Sequence, residues 1–254
     1  MQPQSYNKHL VSSILDLGEI LLISGAEVNR IEDTVTRICQ AYGFLRIDIF
    51  TITTSIVLTV HTAEDEIITQ TRRILRYDTD MNKVAQANCL SRDICARRPE
   101  LSYIREQIAR IQKSDKYPVP VIYLTYAVIA AAFTCFYGGG PMDALAAAAA
   151  GLLMRLVQSL GQRIRMQTFI LTFLTSAATG FAILLLVALG IGSAVHTITI
   201  GCVMLLIPGL AMTTSFRDMI SGDIVSGMLG LTEALLRAMA IALGFAFVLM
   251  QIGG

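Results

Sequence analysis

The sequence predicts a mixed fold class: a small α+β cytoplasmic domain followed by an all-α five-helix transmembrane bundle. The 254 residues are 54% hydrophobic, with a mean hydropathy of +0.60, which is too apolar for an ordinary soluble domain. The charges are unevenly spread. Of 20 Lys and Arg and 19 Asp and Glu, residues 1–118 carry 15 and 15, leaving 5 basic and 4 acidic residues beyond them. We therefore expect a cytoplasmic domain over 1–116 and a transmembrane domain over 117–254.

The N-terminal part alternates between helical and strand patterns. Leu10, Ile14, Leu17 and Leu21 recur at helical spacing. The segment SGAE, residues 24–27, fits a capping box that would start a second helix, ended by a glycine at residue 43. β-branched residues then predict strands in two segments, and helices follow in two more. These four segments are 45–62 and 65–75 for strands, and 80–97 and 99–113 for helices.

Five later segments approach the ~20 apolar residues that cross a bilayer core. They are 119–137, 142–160, 167–189, 194–212 and 225–250. Lys and Arg residues occur in two of the four segments that connect these spans: Arg163 and Arg165 are in the second connector and Arg217 is in the fourth. Lys residues also lie just before the first span. By the positive-inside bias these connectors share the cytoplasm with the N-terminal domain, and five spans place Gly254 outside. The N-terminus lacks the pattern of a secretory signal, so we expect the domain not to be exported.

Composition and motifs argue against several functions. The five cysteines are odd in number and form no CxxC pair, so they indicate neither a disulfide framework nor a zinc site. A net charge of +1 gives no argument for nucleic-acid binding. No catalytic or nucleotide-binding signature is present. We expect a protein that is not an enzyme and needs no cofactor or metal.

Pro208 and Gly209 interrupt the predicted fourth span. Proline removes a backbone donor, and broken helices often line transporter sites near the middle of the membrane. A plain kink near a helix end is the alternative interpretation. Three charged residues follow, Arg217, Asp218 and Asp223. They form either a solvated cytoplasmic turn or the cytoplasmic entrance of a solute path. In the functional interpretation an aspartate carries protons and the arginine is a gate or an anion clamp.

Charged residues inside spans cost ~3 kcal/mol or more unless they are paired or face a cavity. Glu233 and Arg237 lie within the fifth predicted span at i,i+4 spacing, so they either form a structural salt bridge or line a path. Arg155 lies within the second span. If all three faced one cavity, two cations would oppose one acid, which suits an anionic or zwitterionic solute.

The N-terminal domain offers a second class of hypothesis. His61 with Glu27, Glu32, Asp33 and Asp65 could form an acid and base site of a membrane-tethered hydrolase. The alternatives are that Glu27 is a helix cap and that Glu32 and Asp33 lie on a solvated helix face. A third hypothesis makes this domain a regulatory or assembly module.

Two long patterns resemble the N-terminal half of the threonine/serine exporter family. They are LLISGAEVNRIEDTVTRICQAYG, residues 21–43, and IPGLAMTTSFRDMISGDIVSGMLGLTEALLRAMAIALG, residues 207–244. The resemblance implies a bacterial inner-membrane exporter of small amino acids or dicarboxylates. In that family a five-span unit is fused to a second half or works with a separate small subunit, and the two-component members resemble succinate exporters. We therefore expect a small five-span membrane partner, a carboxylate or amino acid substrate, and a higher oligomer as a further possibility.

Overall fold

The computed structural model describes residues 3–75, 79–114 and 117–251. Ten helices and three strands are assigned in this part of the chain, and they form two compact units. In chain order they are α1 (Pro3–Ile23), α2 (Val28–Ala41), β1 (Arg46–Ile52), β2 (Ser55–His61), β3 (Ile67–Arg73), α3 (Met81–Arg97), α4 (Leu101–Lys113), α5 (Val119–Phe136), α6 (Pro141–Arg163), α7 (Thr168–Ala188), α8 (Val195–Val203), α9 (Gly209–Ile220) and α10 (Ile224–Met250).

The N-terminal unit comprises Met1–Asp115 and Leu210–Leu231. Its sheet is an antiparallel meander in the order β1-β2-β3, formed by the two segments predicted to contain strands. The central strand β2 alternates between buried and half-buried residues, as expected for a strand with one face on a core. That face packs with the apolar stripes of α1 to α4 into one hydrophobic cluster. The four predicted apolar positions of α1 are at most 1% exposed.

The same unit includes α9 and the start of α10. Small residues on α10 let these helices approach closely, because a Cβ on Gly227 would lie 2.6 Å from the Ser215 carbonyl oxygen. A Cβ on Gly230 would lie 2.4 Å from the Ser215 hydroxyl. A turn at 221–223, with Gly222 at φ +103°, connects the two helices. We call the part of this helix pair that belongs to the N-terminal unit, residues 210–231, the charged hairpin.

The second unit comprises Lys116–Gly209 and Thr232–Gly254. Its core contains fully buried alanines on α5 and α6 together with residues of α7, α8 and α10. Gly151 on α6 lies so close to α5 that an added Cβ would be 2.7 Å from the Tyr126 carbonyl oxygen. The alanine-rich run of α6 is therefore a helix-packing face, as its small residues predict.

The predicted five-helix transmembrane bundle is wrong. In the described ranges, four helices are long and apolar enough to cross a membrane, namely α5, α6, α7 and α10. The predicted fourth span, 194–212, is instead divided between α8, with 9 residues, and α9, with 12. Nine helical residues cover about 14 Å, roughly half of a bilayer core.

The division of this segment begins before its proline. In a continuous helix the Pro208 ring would clash with the Met204 carbonyl, and Pro208 has no N–H to donate. The helix therefore ends at Val203, and residues 204–208 form tight turns in which Leu206 N and Ile207 N both donate to the Val203 carbonyl. Apolar composition alone could not reveal that one hydrophobic run contains two helices assigned to different units.

Candidate functional site

The structure places the predicted site residues in both units. Arg217, Asp218 and Asp223 lie in the N-terminal unit, on or beside the charged hairpin. The second unit contains Arg155, Pro208, Gly209, Glu233 and Arg237. Each unit therefore has its own candidate site.

In the second unit, Arg155 contacts an aromatic ring. Its guanidinium lies over the Tyr126 ring, 5.8 Å from the ring centroid, and its buried Nε has no hydrogen-bond partner among the residues that the structure describes. Tyr126 donates its hydroxyl hydrogen to Gln158 Oε1 at 2.7 Å. No carboxylate forms an ion pair with Arg155 within the described part of the chain. The aromatic face supplies part of the stabilisation that a cation needs in an apolar bundle, and the guanidinium donors remain able to bind an anion.

Glu233 and Arg237 do not form a salt bridge with each other, which was one of the two interpretations of their spacing. Both lie on α10, and no ion pair within 4.0 Å joins them in the described residues. Glu233 is exposed on the surface of the chain and Arg237 is half-buried. The structure therefore does not support the interpretation in which these two charges only neutralise each other.

In the N-terminal unit, Asp218 caps a distant helix. The residue is 7% exposed, and its Oδ1 accepts a hydrogen bond from Val28 N, the first residue of α2, at 3.2 Å. Burial raises the pKa of Asp218 to about 6, and the negative charges of Asp223 and Glu27 act in the same direction. The Val28 hydrogen bond and Arg217 oppose this rise in pKa without cancelling it.

Two residues of the N-terminal domain complete these surroundings. Glu27 forms an ion pair with Arg217, and Glu32 Oε1 accepts a hydrogen bond from Thr51 N at 2.7 Å. Burial raises the pKa of Glu32, the Thr51 backbone hydrogen bond lowers it, and Asp223 raises it further. The same aspartate thus acts on both Glu32 and Asp218.

The predicted local cap of α2 is wrong. Glu27 occupies the cap position, but no side chain of the segment 24–27 makes a capping hydrogen bond. Asp218, 190 residues later, supplies that bond instead. No local signal could identify this partner. Glu32 was likewise expected on a solvated helix face, but it is half-buried against β1.

The hypothetical hydrolase site is not assembled. In the described part of the chain, His61 has no side-chain hydrogen bond or ion pair with the acids proposed for it. Asp33 instead pairs with Arg37 at 2.8 Å, and Asp65 lies in a turn with φ +61°. Among the described residues, no group of three or more His, Cys, Asp and Glu side chains could hold a metal ion.

Comparison with known proteins decides the family. A family model described as "Putative threonine/serine exporter" matches residues 12–252, nearly the whole chain. The chain belongs to this family. No curated protein and no solved structure matches it. Family membership and the four apolar helices make this threonine/serine exporter family member a multi-pass membrane protein.

Proposed function

We propose that this chain is a subunit of a bacterial inner-membrane secondary exporter for small carboxylate-bearing solutes, either threonine and serine or a dicarboxylate such as succinate. It acts with a smaller membrane partner, and its N-terminal domain faces the cytoplasm. The observation that carries the proposal is the Arg155 guanidinium, stacked on Tyr126 and without a carboxylate partner in the described residues. Family membership supplies the activity class, export.

A solute carboxylate fits the chemistry of this position. Arginine presents a planar fork of N–H donors that matches the two oxygens of a carboxylate. In an apolar environment an unpaired cation is costly, so an incoming anion is favoured there. The Gln158 amide, held by the Tyr126 hydroxyl, lies one helical turn from Arg155 on α6 and adds a polar group that could contact the solute.

The partner follows from the resemblance to two-component members of the family. A proton gradient is the proposed energy source, because the sequence has no nucleotide-binding signature. Pro208 and Gly209, which follow the short helix α8, are proposed to belong to the solute path together with Arg155 and the α10 charges. Discontinuous helices are a common element of such paths.

Efflux from loaded proteoliposomes tests the proposal. The chain is reconstituted with and without its small membrane partner, and the vesicles contain labelled threonine or labelled succinate. We expect efflux of one solute, only with the partner and only under a proton gradient. Efflux of neither solute with the partner present would overturn the proposal, and full efflux from the chain alone would overturn its two-component part.

Variants of Arg155 test the proposed carboxylate contact. Arg155→Gln should raise the half-saturating solute concentration about tenfold or more, because charge-assisted hydrogen bonds are lost. Arg155→Lys keeps the positive charge but lacks the planar fork of donors. Its half-saturating solute concentration should lie between those of the wild type and Arg155→Gln. Arg163→Gln is the matched control, since this exposed arginine ends the same helix. Equal efflux kinetics in all four proteins would remove Arg155 from the solute path.

A further inference from the structure

Among the described residues, three polar contacts that join the charged hairpin to the N-terminal domain are important here. Asp218 caps α2 at Val28, Arg217 pairs with Glu27, and Ser226 Oγ donates to the Thr51 carbonyl at 3.3 Å. The partners are 175 to 190 residues apart in sequence. Two of these contacts involve charged side chains, so the attachment of the hairpin depends on their charge state.

These contacts surround a cluster with too few cations. We call it the hairpin junction and define it as Glu27, Glu32, Thr51, Arg217, Asp218 and Asp223. It contains four carboxylates and one guanidinium, which pairs with Glu27, and Asp223 interacts electrostatically with both Asp218 and Glu32. Buried carboxylates that lack positive partners favour their neutral form.

The burial of Asp218 is the second observation. Asp218 is 7% exposed, and among the described residues its carboxylate accepts one hydrogen bond, from Val28 N. The guanidinium of Arg217 is paired with Glu27 instead. An added proton would remove the cost of burying the Asp218 charge with a single backbone donor.

We propose that the hairpin junction is a proton-binding site, in which a proton taken up on the buried Asp218 carboxylate, near the negative charges of Asp223 and Glu27, holds the charged hairpin against the N-terminal domain. Proton release weakens this attachment. As the coupling-ion site of an exporter, the junction rests on the proposed function. As a proton site it stands on its own geometry.

Linkage fixes the direction of the effect. The pKa of Asp218 is about 6 in the docked structure, against 3.8 for a free aspartate, so the docked hairpin binds the proton more tightly. Docking is therefore favoured at low pH and weakened as pH rises through this window. Between about pH 5 and about pH 7.5 the docking equilibrium should change about tenfold.

Hydrogen exchange of the full chain in lipid nanodiscs tests this inference. Peptides from the charged hairpin should exchange about tenfold more slowly at about pH 5 than at about pH 7.5, after correction for the intrinsic pH dependence of exchange. Asp218→Asn keeps an oxygen that can accept from Val28 N but cannot ionise. In this variant, the peptides of the charged hairpin should be protected from hydrogen exchange at both pH values.

Asp33→Asn is the matched control, because Asp33 is exposed on α2 and pairs with Arg37 away from the junction. It should respond to pH as the wild type does. A pH-independent wild type, or an unchanged pH response in Asp218→Asn, overturns the proposal.

A fluorescence titration gives an independent measurement. The chain contains no tryptophan, so Phe216→Trp on α9 creates a single reporter next to Arg217. Its emission should titrate with a midpoint near pH 6, and the added Asp218→Asn substitution should abolish that transition. Neither measurement uses solute or partner. Failed efflux with a normal titration would therefore reject only the exporter proposal, and a flat titration would reject only the proton site.

Discussion

Single carboxylates in this chain stabilise backbone that is far away in sequence. Asp218 caps α2 from 190 residues away, and Asp143 does the same within the second unit. Asp143 Oδ1 accepts from Ser193 N and Ala194 N, at 2.7 and 3.0 Å, just before α8, while Oδ2 accepts from Gly140 N at 2.9 Å. One side chain thus satisfies donors at the starts of α6 and α8. The sequence marks Asp143 only as an acid near a helix start, because its other partners depend on tertiary packing.

Asp143→Ala should lower the melting temperature of the purified protein by several degrees, since three backbone donors lose their partner in a site with little water. Asp143→Asn retains an accepting oxygen and should lower it less. Thermal unfolding in detergent measures both variants. If Asp143→Ala has the same melting temperature as the wild type, this carboxylate does not stabilise the starts of the two helices.

At the scale of elements, close backbone approaches determine where helices pack. The charged hairpin depends on Gly227 and Gly230, and Ser226 and Gly230 have the small-xxx-small spacing of membrane helix interfaces in the sequence. In the second unit, α8 lies against α5 at Gly201, where an added Cβ would be 2.9 Å from the Ala130 carbonyl oxygen. The spacing of small residues predicts that a helix packs closely, but the identity of its partner comes from the tertiary structure.

Gly201→Ala should destabilise the protein, because the new methyl group would meet backbone atoms that cannot move without separating α8 from α5. Gly209→Ala is the matched control at the helix break. Among the described residues, no heavy atom lies within 4 Å of the position that the Cβ would take, so we expect little change in stability. Thermal unfolding compares the two variants. Equal melting temperatures for Gly201→Ala and the wild type would contradict the close α8 to α5 packing.

At the scale of the whole molecule, two native cysteines report the orientation proposed here. Cys89 is exposed on α3 in the N-terminal unit, and Cys135 is exposed near the end of α5 in the second unit. Because α5 has 18 residues and spans about 27 Å, its end should lie across the membrane from its start. A cytoplasmic N-terminal domain then puts Cys135 at the outer surface.

A membrane-impermeant maleimide should label Cys135 in intact cells, and Cys89 only in inside-out vesicles. Each is tested with the other cysteine and Cys95 replaced by serine, while Cys39 and Cys202 are buried and remain. Burial raises the pKa of the Cys39 thiol to about 12, which keeps it unreactive. Labelling of Cys89 in intact cells would show that the N-terminal domain faces the outside, opposite to the proposed orientation.

The sequence by itself determined the strands, the positions of most helices and the membrane character, because these follow from local periodicity and from hydropathy summed over a segment. The family pattern also lies in the sequence, and the match over residues 12–252 confirms it. Only the tertiary structure decided that the apolar run 194–212 is two helices and that Asp218 reaches Val28 and lies near Glu27. Those results depend on contacts between residues far apart in the chain. Hydropathy summed along a segment contains no information about which distant backbone donor a carboxylate will reach.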